Sequence, residues 1–441
     1  MKKFELLISL SLLLLSCTEK KENYPETPYE VSDPITISSP TPSGKLTKVS
    51  LSEGQLQYVS SGNAFAFNTL AKIYEGKSVI FSPLSLQYAL AMTVNGASGK
   101  TANEITKALG YGSDVKALNE YCNILLNELP AVDTDVDLKL TDLMLVTKDL
   151  PAKDSFRNVL NNKYYAPLEY FYPQSVKEIV DRINEWAYRT TNGFIDKLVE
   201  ESDIDPDLVA AIMNALYFKA KWAGSEYRPM FLEAGTLTDA EFTLDGGGKS
   251  KVDLMRTSRY LPYAKRDGYS VVSIPYSNGN FAMYVLLPDE KGGNGVRNLL
   301  EKLPDEKWED ICGSFDYDTE VHLRLPKFET ENKFYLKEAM KALGIQKAFV
   351  RGVAEFDNMF DAPDWYFWID SIIQKAHISV AEWGTEAAAV TVVLMLGDTS
   401  PGPDPEKKVV DFYADHPFVY VIAEKTSGVI LFEGVFDGRK N

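Results

Sequence analysis

The chain has 441 residues, 45% of them hydrophobic and 25% charged, which suits one large domain with a substantial core and no second composition class. Acidic residues outnumber basic ones 63 to 46, a formal charge of −17, and no basic stripe interrupts the excess. A phosphate backbone would be repelled, so no nucleic acid partner is expected.

Lys2 and Lys3 precede a mostly apolar run from Leu6 to Leu15, followed by Ser16 and Cys17. That order describes a secretory leader, and the run falls short of the ~20 residues a membrane helix needs. Leu14, Leu15, Ser16 and Cys17 resemble the bacterial lipobox, which implies cleavage before Cys17 and acylation of its thiol. Membrane contact is then expected through the lipid anchor only, at the cell envelope; a plain cleaved signal is the alternative. Residues 18–48 carry Pro25, Pro28, Pro34, Pro40 and Pro42 amid Ser, Thr and charge, and read as a tether between the leader, 1–17, and a folded domain, 49–441. Beyond Cys17 only Cys122 and Cys312 remain, too few for a disulfide framework, and both are expected as buried free thiols.

Phe65, Phe67 and Leu70 to Ile73 suggest a first helix, then a short apolar stretch from Ser78 to Phe81 leads into a second helix from Pro83 to about Asn95, with proline at a favoured first position. Thr101 and Glu104 form a capping-box pattern for a third helix closed by Leu109 and Gly110. Further helices are predicted for Val115 to Leu129, Ala152 to Asn162 and Gln174 to Tyr188. After Pro206 the pattern turns β-rich: Leu208 to Trp222, Ser270 to Tyr276, Phe281 to Pro288, Glu320 to Phe328, and at least two strands within Val409 to Phe436, with one helix at Leu336 to Leu343. Mixed rather than alternating elements argue α+β, not a doubly wound sheet.

Chemical motifs fail one after another. Gly99, Lys100 and Thr101 imitate the end of a phosphate loop, but Val94 stands where its first glycine belongs, so a helix cap is the better reading. Asp133, Asp135 and Asp137 imitate a calcium loop, yet Leu138 replaces the turn glycine and Met144 the closing glutamate, which leaves a solvated acidic turn. His322, His377 and His416 have no spacing that suggests a metal set or a nucleophile with its base. Neither an enzyme nor a cofactor is expected.

One segment near the C-terminus has a different character. From Glu382 and Trp383 the chain enters Gly384, Thr385, Glu386, Ala387, Ala388, Ala389, Val390 and Thr391. With period two, Thr385, Ala387, Ala389 and Thr391 share one small face, so the segment suits both a solvated loop and a buried strand if a sheet opens beside it. An Ala-rich helical turn is the alternative.

From about Asn63 to Phe436 the chain resembles the serpin family. Phe81 to Ser85 match the entry to that family's second helix; Ile183, Asn184, Trp186, Thr191, Gly193 and Ile195 match the helix across its main sheet. Asn214, Ala215, Tyr217, Phe218, Lys219 and Trp222 resemble its central strand. Val285 to Pro288, Leu325 to Phe328, Leu343 to Ile345, Ala414 to Phe418, and Phe432 with Gly434 follow in the family's order.

The resemblance implies a serpin fold with three β-sheets, about nine helices and an exposed reactive-centre loop at about 382–408. It also implies a monomeric suicide-substrate inhibitor of serine proteases, with cysteine proteases a second class. The target protease would be trapped as a covalent acyl-enzyme when the cleaved loop inserts into the main sheet; a non-inhibitory binding or structural protein is the alternative. The hinge would comprise Glu382, Gly384, Thr385, Glu386, Ala387, Ala388, Ala389 and Thr391. By the family's register the scissile bond joins Asp398 and Thr399. The long proline-bearing stretch beyond allows a shifted register at Leu394, Met395 or Leu396. The strand-opening network would comprise Ser82, Ser85, Asn214 and Gln374, with Trp222; Gln374 stands where a histidine is usual, so the network is expected to lose its pH sensitivity. Trp383 replaces a usually polar hinge residue and is expected to add bulk that slows insertion.

Overall fold

The computed structural model describes residues 7–19, 47–148, 150–171, 176–191, 193, 195–224, 228–385 and 408–439. Its strands are β1 (Leu7–Glu19), β2 (Val79–Phe81), β3 (Asp137–Thr147), β4 (Leu168–Phe171), β5 (Leu208–Lys221), β6 (Leu237–Thr243), β7 (Lys249–Tyr260), β8 (Tyr263–Arg266) and β9 (Tyr269–Pro275). They continue with β10 (Phe281–Pro288), β11 (Thr319–Pro326), β12 (Phe328–Tyr335), β13 (Trp365–Val380), β14 (Gly384–Thr385), β15 (Lys408–Tyr413), β16 (Phe418–Glu424) and β17 (Ile430–Phe436). The helices are α1 (Glu53–Ile73), α2 (Pro83–Gly96), α3 (Gly99–Leu109), α4 (Val115–Glu128), α5 (Asp154–Lys163), α6 (Val176–Thr190), α7 (Gly295–Lys302), α8 (Trp308–Cys312) and α9 (Lys337–Ala342).

Three sheets result. The main sheet runs β12-β13-β1-β5-β3-β4, with β14 added to β5; a second runs β2-β17-β16-β10-β9-β8, and a third β15-β11-β7-β6. With nine helices among the described residues, this is the expected α+β architecture.

Strand β5 explains why the main sheet has no solvent face at its centre. Ile212, Leu216 and Phe218 pack into the core that holds α2, while Ala211, Met213 and Tyr217 pack on the other face with Ile179, Ile183 and Ala187 of α6. A strand covered on both faces reads as a continuous apolar run, as Leu208 to Met213 does. Strand β3, unread in the sequence, and β13, the longest at 16 residues, pair into the same sheet.

The apolar run expected to be a leader forms β1 and lies antiparallel between β5 and β13. Leu12, Leu13, Leu14 and Leu15 are fully buried, alternating between the α6 side and the α2 side.

Several local expectations change. Helix α3 begins at Gly99 without a side-chain cap from Ser98, and the Thr101–Glu104 box does not form. Instead the Glu355 carboxylate accepts from the Lys100 and Thr101 backbone N–H groups at 2.6 and 3.1 Å, and Glu104 turns away to accept from the N–H groups of Gln346 and Lys347. The place where a phosphate would sit at the α3 N-terminus is thus held by the chain's own carboxylate. Glu355→Ala is expected to cost ~1–2 kcal/mol, read as a lower urea midpoint with an unchanged m-value. Asp133 is buried rather than solvated, and its carboxylate accepts from Asp135 N, Ser277 Oγ and Asn278 N. Helices α7 and α8 add to the single helix expected in the second half.

Cys122 is buried and Cys312 partly so; burial pushes both thiols up to about 12. Each histidine has a partner: His322 with Asp411 at 3.0 Å, His377 with Glu329 at 2.8 Å, and His416 with Asp415 at 3.0 Å and the Pro288 carbonyl at 2.8 Å.

Candidate functional site

The site is a lane in the main sheet, bounded by β5 and β13 and crossed beneath by the N-terminus of α2. Ser82 caps α2, accepting from Ser85 N at 3.2 Å while its hydroxyl donates to the Leu431 carbonyl at 2.8 Å. Pro83 follows as the first helical residue, which aims Ser82 and Ser85 at the strands.

Gln374 of β13 clamps that helix start: Ser82 N donates to Gln374 Oε1 and Gln374 Nε2 to the Ser82 carbonyl, both at 2.9 Å. Gln374 Nε2 also donates to Ser11 Oγ of β1 at 2.7 Å, and the Ser11 and Ser85 hydroxyls lie 2.9 Å apart. On the far side Ser85 donates to Asn214 Oδ1 of β5, and Asn214 Nδ2 donates to Asp142 Oδ1 of β3 at 2.7 Å. A hydroxyl has one proton to give, so with Ser85 spent on Asn214, Ser11 donates to Ser85 and accepts from Gln374. Four strands and one helix are joined by this chain of bonds, and all its side chains are buried.

The four expected members Ser82, Ser85, Asn214 and Gln374 therefore meet. Asp142 was missed; it ends the network with a buried titratable carboxyl, whereas Gln374 offers none. Burial raises its carboxyl to about 7 against the bond from Asn214, and its Oδ2 has no partner. Its only sequence signal was a lone acid in the apolar stretch Leu140 to Val146, legible once that stretch is a strand.

Trp222 stands apart from this network, above the lane at the hinge. Its indole stacks on Tyr276 with centroids 4.4 Å apart and its Nε1 donates to the Ala381 carbonyl at 2.8 Å. The hinge is anchored around it. Glu382 is buried; burial opposes its ionisation, but Lys327 at 2.9 Å and the Thr236 hydroxyl at 2.7 Å outweigh that and hold its carboxyl below the usual range. Trp383 is partly exposed, and its Nε1 donates to Glu233 at 3.1 Å.

Gly384 and Thr385 form β14 on the top of β5, opposite Lys221 and Ala220, and the buried Thr385 hydroxyl meets Tyr276 OH at 2.8 Å. Gly384 has φ +137°, and a Cβ there would fall 2.2 Å from the Ala220 carbonyl oxygen. Only glycine fits. Gly384→Ala is expected to lift β14 off β5, and ~1–3 kcal/mol of strain predicts proteolytic nicking of the hinge faster by roughly tenfold or more. Glu386, Ala387, Ala388, Ala389 and Thr391 of the expected hinge, and Leu394, Met395, Leu396, Asp398 and Thr399 of the expected reactive bonds, lie outside the described residues.

Comparison with known proteins adds a common theme. The family model described as Serpin (serine protease inhibitor) matches residues 60–437. A protein of Oryza sativa subsp. japonica called Serpin-ZXA is 30% identical over 369 residues, 81% of this chain and 89% of its own. An uncharacterized serpin-like protein of Methanosarcina acetivorans is 27% identical over 436 residues, 98% and 96% of the two chains. Among solved structures, the native state of the thermophilic serpin tengpin matches with a TM-score of 0.76 at 26% identity, over 90% of this chain and 97% of that one. A cleaved serpin 42Da matches with a TM-score of 0.75 at 25% identity, over 88% and 100%.

Proposed function

Because the chain belongs to the serpin family, we propose that it is a suicide-substrate inhibitor of serine proteases, with cysteine proteases a second class, trapping its target by drawing the cleaved loop into the lane between β5 and β13. The observation that carries this reading is the lane itself, which holds a buried antiparallel strand on both edges and points at β14. Thr385 faces Ala220 on β5, and two residues further along the lane position 387 would face Phe218, the partner of Leu7. From the other edge, the bridge between Gly384 and Ala381 carried inward would set position 388 opposite His377, the partner of Ile8. Both edges agree, so the loop and β1 would share one register, in which Thr391 takes the place of Ser11 between Gln374 and Asn214.

The energetics are of the right size. Gly384 to Asp398 is 15 residues, which span ~50 Å at about 3.3 Å each. A strand bonded on both edges gains about 20 hydrogen bonds at ~0.5–1.5 kcal/mol net, or ~10–30 kcal/mol before chain entropy, against a protease stability of ~5–15 kcal/mol. The inward lane positions already accept Leu13 and Leu15 in β1, so Val393 and Met395 at the matching places would fit.

The covalent step is the protease's own. Its nucleophile attacks the carbonyl of the scissile residue, the peptide bond breaks with the leaving amine taking a proton, and insertion then carries the acylated end away before water arrives. Asp398 as that residue suits an acid-cleaving enzyme, whereas Leu394 to Leu396 suit elastase-like, chymotrypsin-like or subtilisin-like pockets. We place the protein in the cell envelope, held by an acylated Cys17, which a labelled fatty acid lost in Cys17→Ala would report.

The test incubates residues 18–441 with a protease panel. An SDS-stable complex, with a rise in melting temperature of the cleaved inhibitor, is expected; cleavage that gives neither would favour a non-inhibitory binding protein. The mass of the released C-terminal peptide names the bond.

A further inference from the structure

We propose that Leu7–Glu19 is an internal occupant of the lane, so that the chain still carrying this segment is a locked, non-inhibitory form and loss of the segment arms it. This rests on the insertion reading above. Three observations carry it. The segment is paired on both edges, Leu7 to Ser16 against β5 and Ile8 to Glu19 against β13. Its Ser11 supplies the hydroxyl that completes the relay from Gln374 to Ser85, the same lane position that Thr391 would reach. Leu12 to Leu15 are fully buried against both cores, which a merely adjacent tail would not be.

Timing follows from the register. Ser16 lies opposite Leu208 and Trp368, and Cys17 opposite Phe367, so the bond between them is held inside the sheet once the domain has folded. Hydrolysis there needs an extended, accessible substrate, and so must precede folding. A chain that folds first keeps its segment, and the lane is closed to the loop. An apolar leader thereby guards against inhibition before export.

Three chains decide it: residues 1–441, residues 18–441, and 1–441 carrying Leu13→Asp. The first is expected to melt higher than the second by roughly 10 °C. It should also resist cleavage between Ser16 and Cys17 and give no SDS-stable complex. The second and third are expected to form the complex, because a carboxylate at the fully buried Leu13 position expels the segment. A synthetic peptide of residues 7–19 added to the second chain should reproduce the first. Equal melting of the first two, or a Leu13→Asp chain indistinguishable from the first, overturns the proposal. If none of the three inhibits any protease the insertion reading fails, while the melting and peptide comparisons still decide whether the lane holds this segment.

Discussion

Thr385→Arg is expected to leave the loop fully cleavable and to abolish the trapped complex, turning the inhibitor into a substrate. In the proposed insertion Thr385, already paired with Ala220 of β5, would be the first residue along the lane. It is buried, its hydroxyl meets Tyr276, and Tyr276 is in turn stacked on Trp222. A guanidinium at that position meets the packed rings of Tyr276 and Trp222, and an unpaired buried charge costs several kcal/mol. Insertion competes with deacylation, so each ~1.4 kcal/mol added to its barrier shifts the partition tenfold towards turnover. The yield of SDS-stable complex should fall by at least ~100-fold, while the cleavage rate stays near that of the parent. Thr385→Ser, which keeps the hydroxyl, should retain the complex; an unaltered yield with arginine would mean that the lane is not the loop's destination.

The parts of this site that could be read in the sequence are those whose chemistry is local. Pro83 marks a helix start, and the small residues after Gly384 mark a segment able to become a strand; the 2.2 Å approach to Ala220 that demands glycine there appears only in the fold. Asp142 could not be read that way. Its significance comes from Asn214, 72 residues away, and from burial that the sequence does not display. The same holds for Glu355 at the start of α3, where a carboxylate from 254 residues on outcompetes the Thr101–Glu104 pair next door. Strand β13 escaped because Asp370, Ser371, Gln374, Lys375 and His377 interrupt it, so neither clean alternation nor an apolar run shows, and residues 7–19 satisfied a leader's composition and a buried strand's equally well: both need a mostly apolar run.

Trp222 shows the limit of reading by motif. The resemblance grouped it with Asn214 because they share β5 and its neighbourhood in sequence, but eight residues along a strand separate the relay from the hinge by ~26 Å. One strand thus serves two tasks, with Asn214 tying the sheet shut in its middle and Trp222 holding the Ala381 carbonyl where the loop departs. Anything that opens the middle must be transmitted along β5 to matter at the hinge.

Asp142→Asn is expected to flatten the pH dependence of stability between pH 4 and 8. Burial pushes the Asp142 carboxyl from the usual aspartate range up to about 7 in the folded protein, and the bond from Asn214 offsets only part of that rise. A raised carboxylate contributes its full stability below the unfolded value near 4 and loses it as pH climbs to the folded value near 7, because the unfolded chain ionises first. At about 1.4 kcal/mol per tenfold change in proton concentration, that loss comes to ~4 kcal/mol. The neighbours that sense its charge, Tyr88, Cys122 and Tyr164, are themselves pushed up by burial and stay neutral across this window. Asparagine keeps the acceptor for Asn214 and removes the charge, although its amide N–H groups inherit the unpartnered place of Oδ2 at ~1–3 kcal/mol. The variant should therefore be somewhat less stable than the parent at pH 4 and comparable or more stable at pH 8, as read by urea unfolding of both chains across the range. Parallel pH profiles for parent and variant would show that this carboxyl does not govern the pH dependence of stability.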